Sequence, residues 1–397
     1  MRFTSLIYFV CSAIQVVSSS QIPLVKQHVP TSRAVSPHLF SELEELARVV
    51  DITYCVGLGN TGISKPFTCL GRCSDFPDFE LVKTWNTGPL MSDSCGYLAL
   101  DHSAANPRII VAFRGTYSIA NAVVDLSTVP QEYVPYPGDP SSTPEGTPPC
   151  HNCTVHGGFD QSWRVTSPII QPELETLLAV YPKYTLHLVG HSLGGAVAAL
   201  AGLDFLSQGW HPLVTTFGEP RIGNQGLMNY VDHAFQLNQT IPTSPGDGSA
   251  WTRDYEEKLM FRRVTHVDDP VPQLPLTEWG FRMHAGEIFI AKSELSPDIQ
   301  DVHHCFGDQD PTCIASQDPS LLTGTGSAAR SAGEATIPAV VRKASLWKSM
   351  QGGITIPARY KLWQMLFAHR DYFWRLGLCV PPGSPWGWKQ GVEEQRE

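Results

Sequence analysis

The chain has 397 residues, enough to bury a sizeable core, and its apolar, glycine and proline residues are spread evenly along it. This distribution favours one large domain with appendages over two separate domains. The formal net charge of -10 and the absence of clustered Lys and Arg argue against a nucleic-acid partner, because phosphate binding needs such clusters. Charged residues make up only 17% of the sequence, which excludes long disordered acidic or basic blocks.

The first twenty residues have the pattern of a secretory signal peptide. Arg2 precedes an apolar run from Leu6 to Val17, and small serines follow this run. The run is too short and too interrupted to span a membrane. We therefore expect a secreted, extracellular and soluble protein, with a signal peptide at residues 1–20 and a candidate leader or propeptide at residues 21–35.

The main domain is predicted to span residues 36–385, with an insertion at 316–336 and a C-terminal tail at 386–397. It begins with a helix at Ser36-Pro37, because serine caps free amides and proline at the first position loses no hydrogen bond. Five segments have strand-like sequences: Arg108–Phe113, Thr185–Val189, Leu213–Phe217, Leu259–Val267 and Glu287–Ala291. Three have helical spacing: Ile169–Val180, Leu193–Leu206 and Asn224–Phe235. Strands interleaved with helices indicate an α/β fold, with a mostly parallel sheet covered by helices.

A serine with a glycine two positions before it and another two positions after it follows the second predicted strand, in the octapeptide Leu188–Gly195. The sequence runs from an apolar stretch through Gly-His-Ser-Leu-Gly into an alanine-rich stretch. This order is typical of a strand, a sharp turn and a helix. Glycines flank the serine because such a turn leaves no room for neighbouring side chains. The pattern predicts that Ser192 is an exposed nucleophile. The alternative is a chance match, since the pentapeptide alone is not rare in glycine-rich chains.

A nucleophilic serine needs a base and a carboxylate, and in folds of this kind both follow it along the chain. The strand near residue 266 ends in Asp268 and Asp269, at the edge of the sheet where catalytic groups lie. Either acid fits, and a simple turn enforced by Pro270 is the alternative interpretation of both. The spacing does not identify the base, because four histidines are downstream candidates: His369, His284, His303 and His304.

These motifs resemble those of the fungal class 3 lipases, the secreted triacylglycerol lipases of filamentous fungi, in order and in local sequence. The resemblance covers Ser36 to Cys379 and implies an α/β-hydrolase fold. It implies that Ser192 is the nucleophile, because the family places that residue in Gly-His-Ser-Leu-Gly. The family acid precedes one residue and Val-Pro, which implies Asp269. The family base opens a His-x-x-Tyr-Phe segment before the final cysteine, which implies His369.

The same resemblance implies an oxyanion hole and a lid. The family's Phe-Arg-Gly-Ser/Thr matches residues 113–116, so that Thr116 and the amide of Leu193 are the implied donors. The lid is implied at residues 117–130, where apolar side chains recur at helical spacing: Ile119, Ala122, Val123 and Leu126. Many relatives have tryptophan where this chain has Ala122, and a plain core-packing helix is the alternative.

Ten cysteines, of which Cys11 lies in the predicted signal peptide, leave nine at spacings that suit an oxidising compartment. The resemblance implies three disulfides: Cys55 with Cys379, Cys69 with Cys73, and Cys150 with Cys153. Cys305 and Cys313 are a candidate fourth pair, which leaves Cys95 as an inert buried thiol. Two sequons, at Asn152 and Asn238, predict N-glycosylation.

No metal and no cofactor are expected. Zinc is the competing interpretation for Cys150 and Cys153, and for the cluster of His303, His304 and Cys305 with Cys313. It is disfavoured because no second ligand pair completes a set of four at a recognisable spacing.

The sequence and the resemblance together predict a secreted serine carboxylic ester hydrolase of the lipase type. We expect a monomer that hydrolyses acylglycerols at a lipid–water interface through an acyl-enzyme intermediate. Two alternatives remain open at this point. One is a feruloyl or other polar-ester esterase on the same scaffold, and the other is a secreted binding protein without catalysis.

Overall fold

The structure, a computed structural model, describes residues 33–59, 62–88, 93–116, 130–134, 150–237, 253–318 and 367–381. Several predictions fall outside these ranges: the signal peptide, the lid side chains Ile119, Ala122, Val123 and Leu126, the sequon at Asn238 and the C-terminal tail. Within the ranges, none of the helices combines the length and the apolar character that a membrane span requires.

The described part of the chain contains five α-helices, besides short 3-10 turns: α1 Pro37–Ile52, α2 Gly157–Val180, α3 Leu193–Ser207, α4 Gln225–Ala234 and α5 Arg253–Lys258. The strands of its central sheet are β1 Phe79–Asn86, β2 Cys95–Asp101, β3 Arg108–Phe113, β6 Thr185–His191, β7 Leu213–Phe217, β9 Phe261–His266, β11 Glu287–Ile290 and β12 Val302–His304. The remaining strands are short: β4 Pro130–Glu132, β5 Thr154–His156, β8 Gly223–Asn224, β10 Phe281–Arg282, β13 Asp371–Tyr372 and β14 Trp374–Arg375.

The central sheet has the strand order β1-β2-β3-β6-β7-β9-β11-β12. Neighbouring strands from β3 to β11 are parallel, whereas β1, β2 and β12 pair antiparallel at the two edges. The predicted α/β fold with a mostly parallel sheet is therefore confirmed. Because β6, β7 and β9 are adjacent and parallel, their carboxyl ends meet at one edge of the sheet.

Side chains of β3 alternate between two cores, one on each face of the sheet. Ile109, Val111 and Phe113 pack into the core that contains residues of α2, α3 and α4. Ile110 and Ala112 pack into the core that contains residues of α1. All six residues of β3 are buried, as expected for a strand covered on both faces. The two helical layers thus hold the central strands rigidly in place.

The first residues of the domain pack against β12, at one edge of the central sheet. Ser36 caps α1 as predicted, because its hydroxyl accepts a hydrogen bond from the Leu39 amide at 3.1 Å. The residues before it are also packed, since Ala34 pairs with His303 of β12 and Val35 is only 3% exposed. The last residues of the candidate leader therefore lie against the fold.

Four disulfides are formed among the described cysteines: Cys55–Cys379, Cys69–Cys73, Cys150–Cys153 and Cys305–Cys313. They include the three that the family resemblance implies and the candidate fourth. Cys95 is a free, buried thiol. Asn152 is exposed between the bridged Cys150 and Cys153, so its sequon lies within a short disulfide loop.

The first residues of the predicted insertion, 316–318, pack against the domain. The buried carboxylate of Asp318 accepts hydrogen bonds from Arg221 Nη2 at 2.5 Å and from Thr277 Oγ1 at 2.9 Å. The rest of the insertion lies outside the described residues.

Candidate active site

Ser192 occupies a sharp turn between β6 and α3. Its backbone has φ 58° and ψ -128°, a left-handed conformation that costs a non-glycine residue about 1–3 kcal/mol. Hydrogen bonds hold the turn in this shape, because the Ser192 amide donates to Phe217 O at 2.9 Å and Gly195 N donates to Ser192 O at 2.9 Å. The predicted strand–turn–helix arrangement is confirmed, and the serine stands at the carboxyl end of β6. The prediction that Ser192 is exposed is wrong for the described residues, because it is only 4% exposed.

The glycines on either side of Ser192 are required by close backbone contacts. A Cβ atom on Gly190 would lie 2.2 Å from the carbonyl oxygen of Gly194. A Cβ atom on Gly194 would lie 2.3 Å from the carbonyl oxygen of Phe113, at the end of β3. Neither position has room for a side chain, which explains the motif in steric terms.

Substitution of Gly194 by alanine is expected to lower the free energy of unfolding by about 1–3 kcal/mol, because the backbone of Phe113 must shift. The shift also displaces residues 114–116, so the rate of ester hydrolysis should fall. Thermal unfolding and initial rates provide the measurement. Gly195→Ala is the matched control, because its nearest contact is the Glu219 Cβ at 3.3 Å and alanine favours the helix. Equal losses in both variants would contradict the steric explanation.

Asp269 and His369 form a fully buried pair. His369 Nδ1 lies 3.0 Å from Asp269 Oδ1 and 2.9 Å from Oδ2, and both side chains are 0% exposed. The carboxylate also accepts hydrogen bonds from the Tyr372 hydroxyl and, at 2.9 Å, from the Val271 amide. Burial alone would raise the pKa of Asp269, but the His369 imidazole and these hydrogen bonds hold it below its usual value. Asp269 is therefore ionised and fixes the ring of His369.

The other nitrogen of His369 is buried and has no hydrogen-bond partner among the described residues. The His369 ring stacks on the ring of His191, the residue before Ser192, with the centroids 4.7 Å apart. A Cβ atom on Gly218 would lie 2.9 Å from His369 Cε1 and 2.9 Å from Asp269 Oδ2. Gly218 directly follows Phe217, the partner of the Ser192 amide. These contacts place the Asp269–His369 pair beside the turn that carries Ser192, at the carboxyl ends of β6, β7 and β9. Among the described residues, no hydrogen bond joins Ser192 Oγ to His369 Nε2.

The two implied oxyanion donors flank the serine. Leu193 is the first residue of α3, where the amide has no acceptor within the helix and the helix terminus carries partial positive charge. Thr116 is half-buried and follows Gly115, where an added Cβ atom would lie 2.8 Å from Ser192 Cβ. The residue before Thr116 and the first residue of α3 therefore both lie next to Ser192.

The other histidines considered from the sequence have different environments. His284 contacts Glu219 Oε1 at 3.1 Å and the Ala285 carbonyl at 2.7 Å. His304 contacts Glu256 Oε1 at 3.0 Å. His303 lies beside Cys313, whose sulfur is bonded to Cys305. A disulfide offers no thiolate to a metal ion, which further disfavours zinc at this cluster.

Three side chains of the site had no role in the sequence-based prediction. Tyr372 was part of the matched His-x-x-Tyr-Phe motif, and the structure shows that its hydroxyl binds Asp269. His191 was part of the serine motif, and its ring lies against His369. Tyr54 precedes the bridged Cys55, and its hydroxyl lies 2.6 Å from His191 Nδ1. Positions within motifs could have pointed to Tyr372 and His191, whereas no sequence signal pointed to Tyr54.

Comparison with known proteins agrees with this geometry. The family described as Lipase (class 3) matches residues 110–279. Secreted mono- and diacylglycerol lipase 2 of Gibberella zeae is 49% identical over 396 residues, which cover 94% of this chain and 90% of that protein. Lipase A of Sodiomyces alcalophilus is 49% identical over 395 residues, which cover 94% of this chain and 89% of that protein. The crystal structure of Lip2 lipase from Yarrowia lipolytica superposes with a TM-score of 0.65 at 28% identity, covering 88% of this chain and 97% of that one.

The sheet and its covering helices form the α/β-hydrolase fold, and the chain belongs to the class 3 lipase family. It is a secreted carboxylic ester hydrolase of the lipase type.

Proposed function

We propose that Ser192, Asp269 and His369 form the catalytic triad of this lipase and that its substrates are acylglycerols. The buried His369–Asp269 pair carries the proposal, because it orients an imidazole whose second nitrogen has no described partner and which lies beside the serine turn. Mono- and diacylglycerols are the proposed preferred substrates, supported by the name of the relative from Gibberella zeae.

The proposed reaction has two halves. His369 Nε2 takes the proton of Ser192 as its Oγ attacks the ester carbonyl, and Asp269 stabilises the imidazolium that forms. The amide of Leu193 and the donors of Thr116 stabilise the negative oxygen of the tetrahedral intermediate. His369 then protonates the leaving glycerol oxygen, which leaves an acyl-enzyme. Water, deprotonated by the same imidazole, attacks the acyl group. The imidazolium then returns the proton to Ser192 Oγ as the bond from Oγ to the acyl group breaks and the fatty acid leaves.

All three proposed catalytic side chains come from one chain, so we propose that the active species is the monomer. We propose that it works at a lipid–water interface without a cofactor or a nucleic-acid partner. The net charge of -10 supports the last point, because an acidic protein is repelled by phosphates.

Purified protein should release fatty acid from monoacylglycerol and diacylglycerol faster than from a triacylglycerol emulsion, and should turn over methyl ferulate slowly. Titration of released acid and of released ferulate measures these rates. A fluorophosphonate probe should label Ser192, which mass spectrometry of the peptide can locate. Faster turnover of methyl ferulate would instead favour a polar-ester esterase. Absence of both labelling and turnover would favour a binding protein.

A further inference from the structure

We propose that Tyr54 is a positioning residue of this enzyme, which acts through His191 on the backbone that carries His369. The inference rests on the proposed roles of Ser192 and His369. Tyr54 belongs to the turn Thr53–Cys55 after α1, far from His369 in the sequence. Its side chain is 2% exposed and that of His191 is 1% exposed, so both lie beneath the site.

Two hydrogen bonds connect Tyr54 to the backbone of His369. The Tyr54 hydroxyl lies 2.6 Å from His191 Nδ1, and His191 Nε2 lies 2.9 Å from the carbonyl oxygen of His369. A carbonyl oxygen can only accept, so His191 must carry its proton on Nε2. In a neutral ring Nδ1 is then the acceptor, and the Tyr54 hydroxyl must donate to it.

Burial keeps both groups in these protonation states. It lowers the pKa of His191 to about 3, and the neighbouring His369 contributes to this lowering. Burial also raises the pKa of Tyr54 above its usual value. The imidazole is thus neutral and the phenol protonated near neutral pH. Each hydrogen bond has a single possible direction.

The hydroxyl of Tyr54 also reaches the segment that carries the oxyanion donor. Gly115 packs closely against it, since a Cβ atom on Gly115 would lie 2.6 Å from the hydroxyl oxygen. Gly115 directly precedes Thr116. One hydroxyl therefore joins the segment after β3 to the residue before the nucleophile, and through that residue to the segment of the base.

This arrangement has a consequence for the chemistry. The proposed base becomes a cation during the reaction, and the ring stacked on it is that of His191, at a centroid distance of 4.7 Å and an interplanar angle of 30°. A neutral, fixed ring there does not repel the cation. Displacement of His369 relative to Ser192 would slow proton transfer steeply, because misplacement of reacting groups by about 1 Å can cost 10²-fold in rate.

The test is Tyr54→Phe, which removes the hydroxyl and keeps the aromatic packing. We expect kcat for a soluble ester to fall by about 10- to 100-fold, with KM nearly unchanged. The rates are referred to the concentration of sites that react with a fluorophosphonate, so that unfolded molecules do not count. The matched control is Tyr97→Phe, because Tyr97 is also fully buried and its hydroxyl donates to Val49 O at 2.8 Å, outside the site. It should lower Tm similarly and leave kcat near that of the wild type.

A double-mutant cycle tests whether Tyr54 acts through His191. In a His191→Phe background, which has already lost the contact to His369, Tyr54→Phe should change kcat by less than about twofold. If Tyr54→Phe lowers kcat in the His191→Phe background as much as it does in the wild type, the inference is overturned. It is also overturned if the Tyr54→Phe and Tyr97→Phe enzymes have the same kcat. Either result would leave the proposed function intact, because the wild-type enzyme would still hydrolyse esters. A wild type that neither turns over esters nor reacts with the probe refutes the proposed function instead.

Discussion

Ser192→Ala is expected to lower ester hydrolysis by about 10⁶-fold, the loss seen when the nucleophile of a serine triad is removed. The reason is that no other group can accept the acyl chain, and the oxyanion donors alone retain only a small part of the rate enhancement. Folding should be preserved, because alanine keeps the backbone hydrogen bonds of Ser192 to Phe217 and Gly195. Initial rates on a soluble ester and thermal unfolding by circular dichroism measure the two effects.

Ser162→Ala is the matched control for this variant. Ser162 is fully buried in α2, and its hydroxyl donates to Asp93 O at 2.9 Å. Loss of that hydrogen bond should lower the free energy of unfolding by about 1 kcal/mol without changing the rate per folded molecule. A Ser192→Ala protein that retains more than about a thousandth of wild-type turnover would refute the assigned nucleophile.

Asp269→Asn is expected to lower kcat by about 10⁴-fold, even though the amide nearly matches the carboxylate in shape. The amide nitrogen introduced by this substitution would donate to His369 Nδ1 and place the ring proton on Nε2, where the ring can no longer take the proton of Ser192. The imidazolium that forms in the reaction would also lose its counter-charge. Steady-state kinetics at neutral pH measure the loss.

The control for this substitution is Asp101→Asn, at a second buried carboxylate. Asp101 is 2% exposed and accepts from Arg108 Nε at 2.7 Å, at the opposite end of β3. It should destabilise the protein but leave kcat unchanged per probe-reactive site. A comparable fall in kcat for the two variants would show that the Asp269 effect is one of stability alone.

Acid stability supplies an independent check on Asp269. Its pKa is lower in the folded protein than the unfolded value of about 4. Its ionised form therefore stabilises the fold above that value, and this contribution is lost as the pH falls through the folded pKa. The free energy of unfolding of Asp269→Asn should consequently fall less steeply in acid than that of the wild type.

The sequence predicts the central strands well because their burial is uniform. The observed β3 and β7 have the predicted ends, and α3 starts at the predicted Leu193. The first half of α2 was missed, since Gly157 starts it and Pro168 interrupts the pattern. The antiparallel strands β1 and β2 were not predicted, and the four strands of the small sheet β10-β8-β5-β4 have only two or three residues each. Strands of two or three residues are too short to show a hydrophobic period in the sequence.

The residues of the candidate site also differ in how far the local sequence predicts them. Ser192 is predictable from local sequence, because its turn is made by neighbours along the chain. His369 is not, because the fold brings it to His191 across a separation of 178 residues, and only the family motif singled it out as the candidate base. The contact of Tyr54 with His191 spans 137 residues and leaves no local trace in the sequence. Long-range contacts between buried polar groups are thus what sequence patterns alone do not reveal.

The Cys55–Cys379 disulfide, which joins the segment after α1 to the segment after His369, has a consequence for the timing of activity. During synthesis the serine emerges well before the base, and the covalent link that retains the base forms only where thiols are oxidised. A chain whose thiols are still reduced therefore lacks the covalent link between the segment after α1 and the segment of His369.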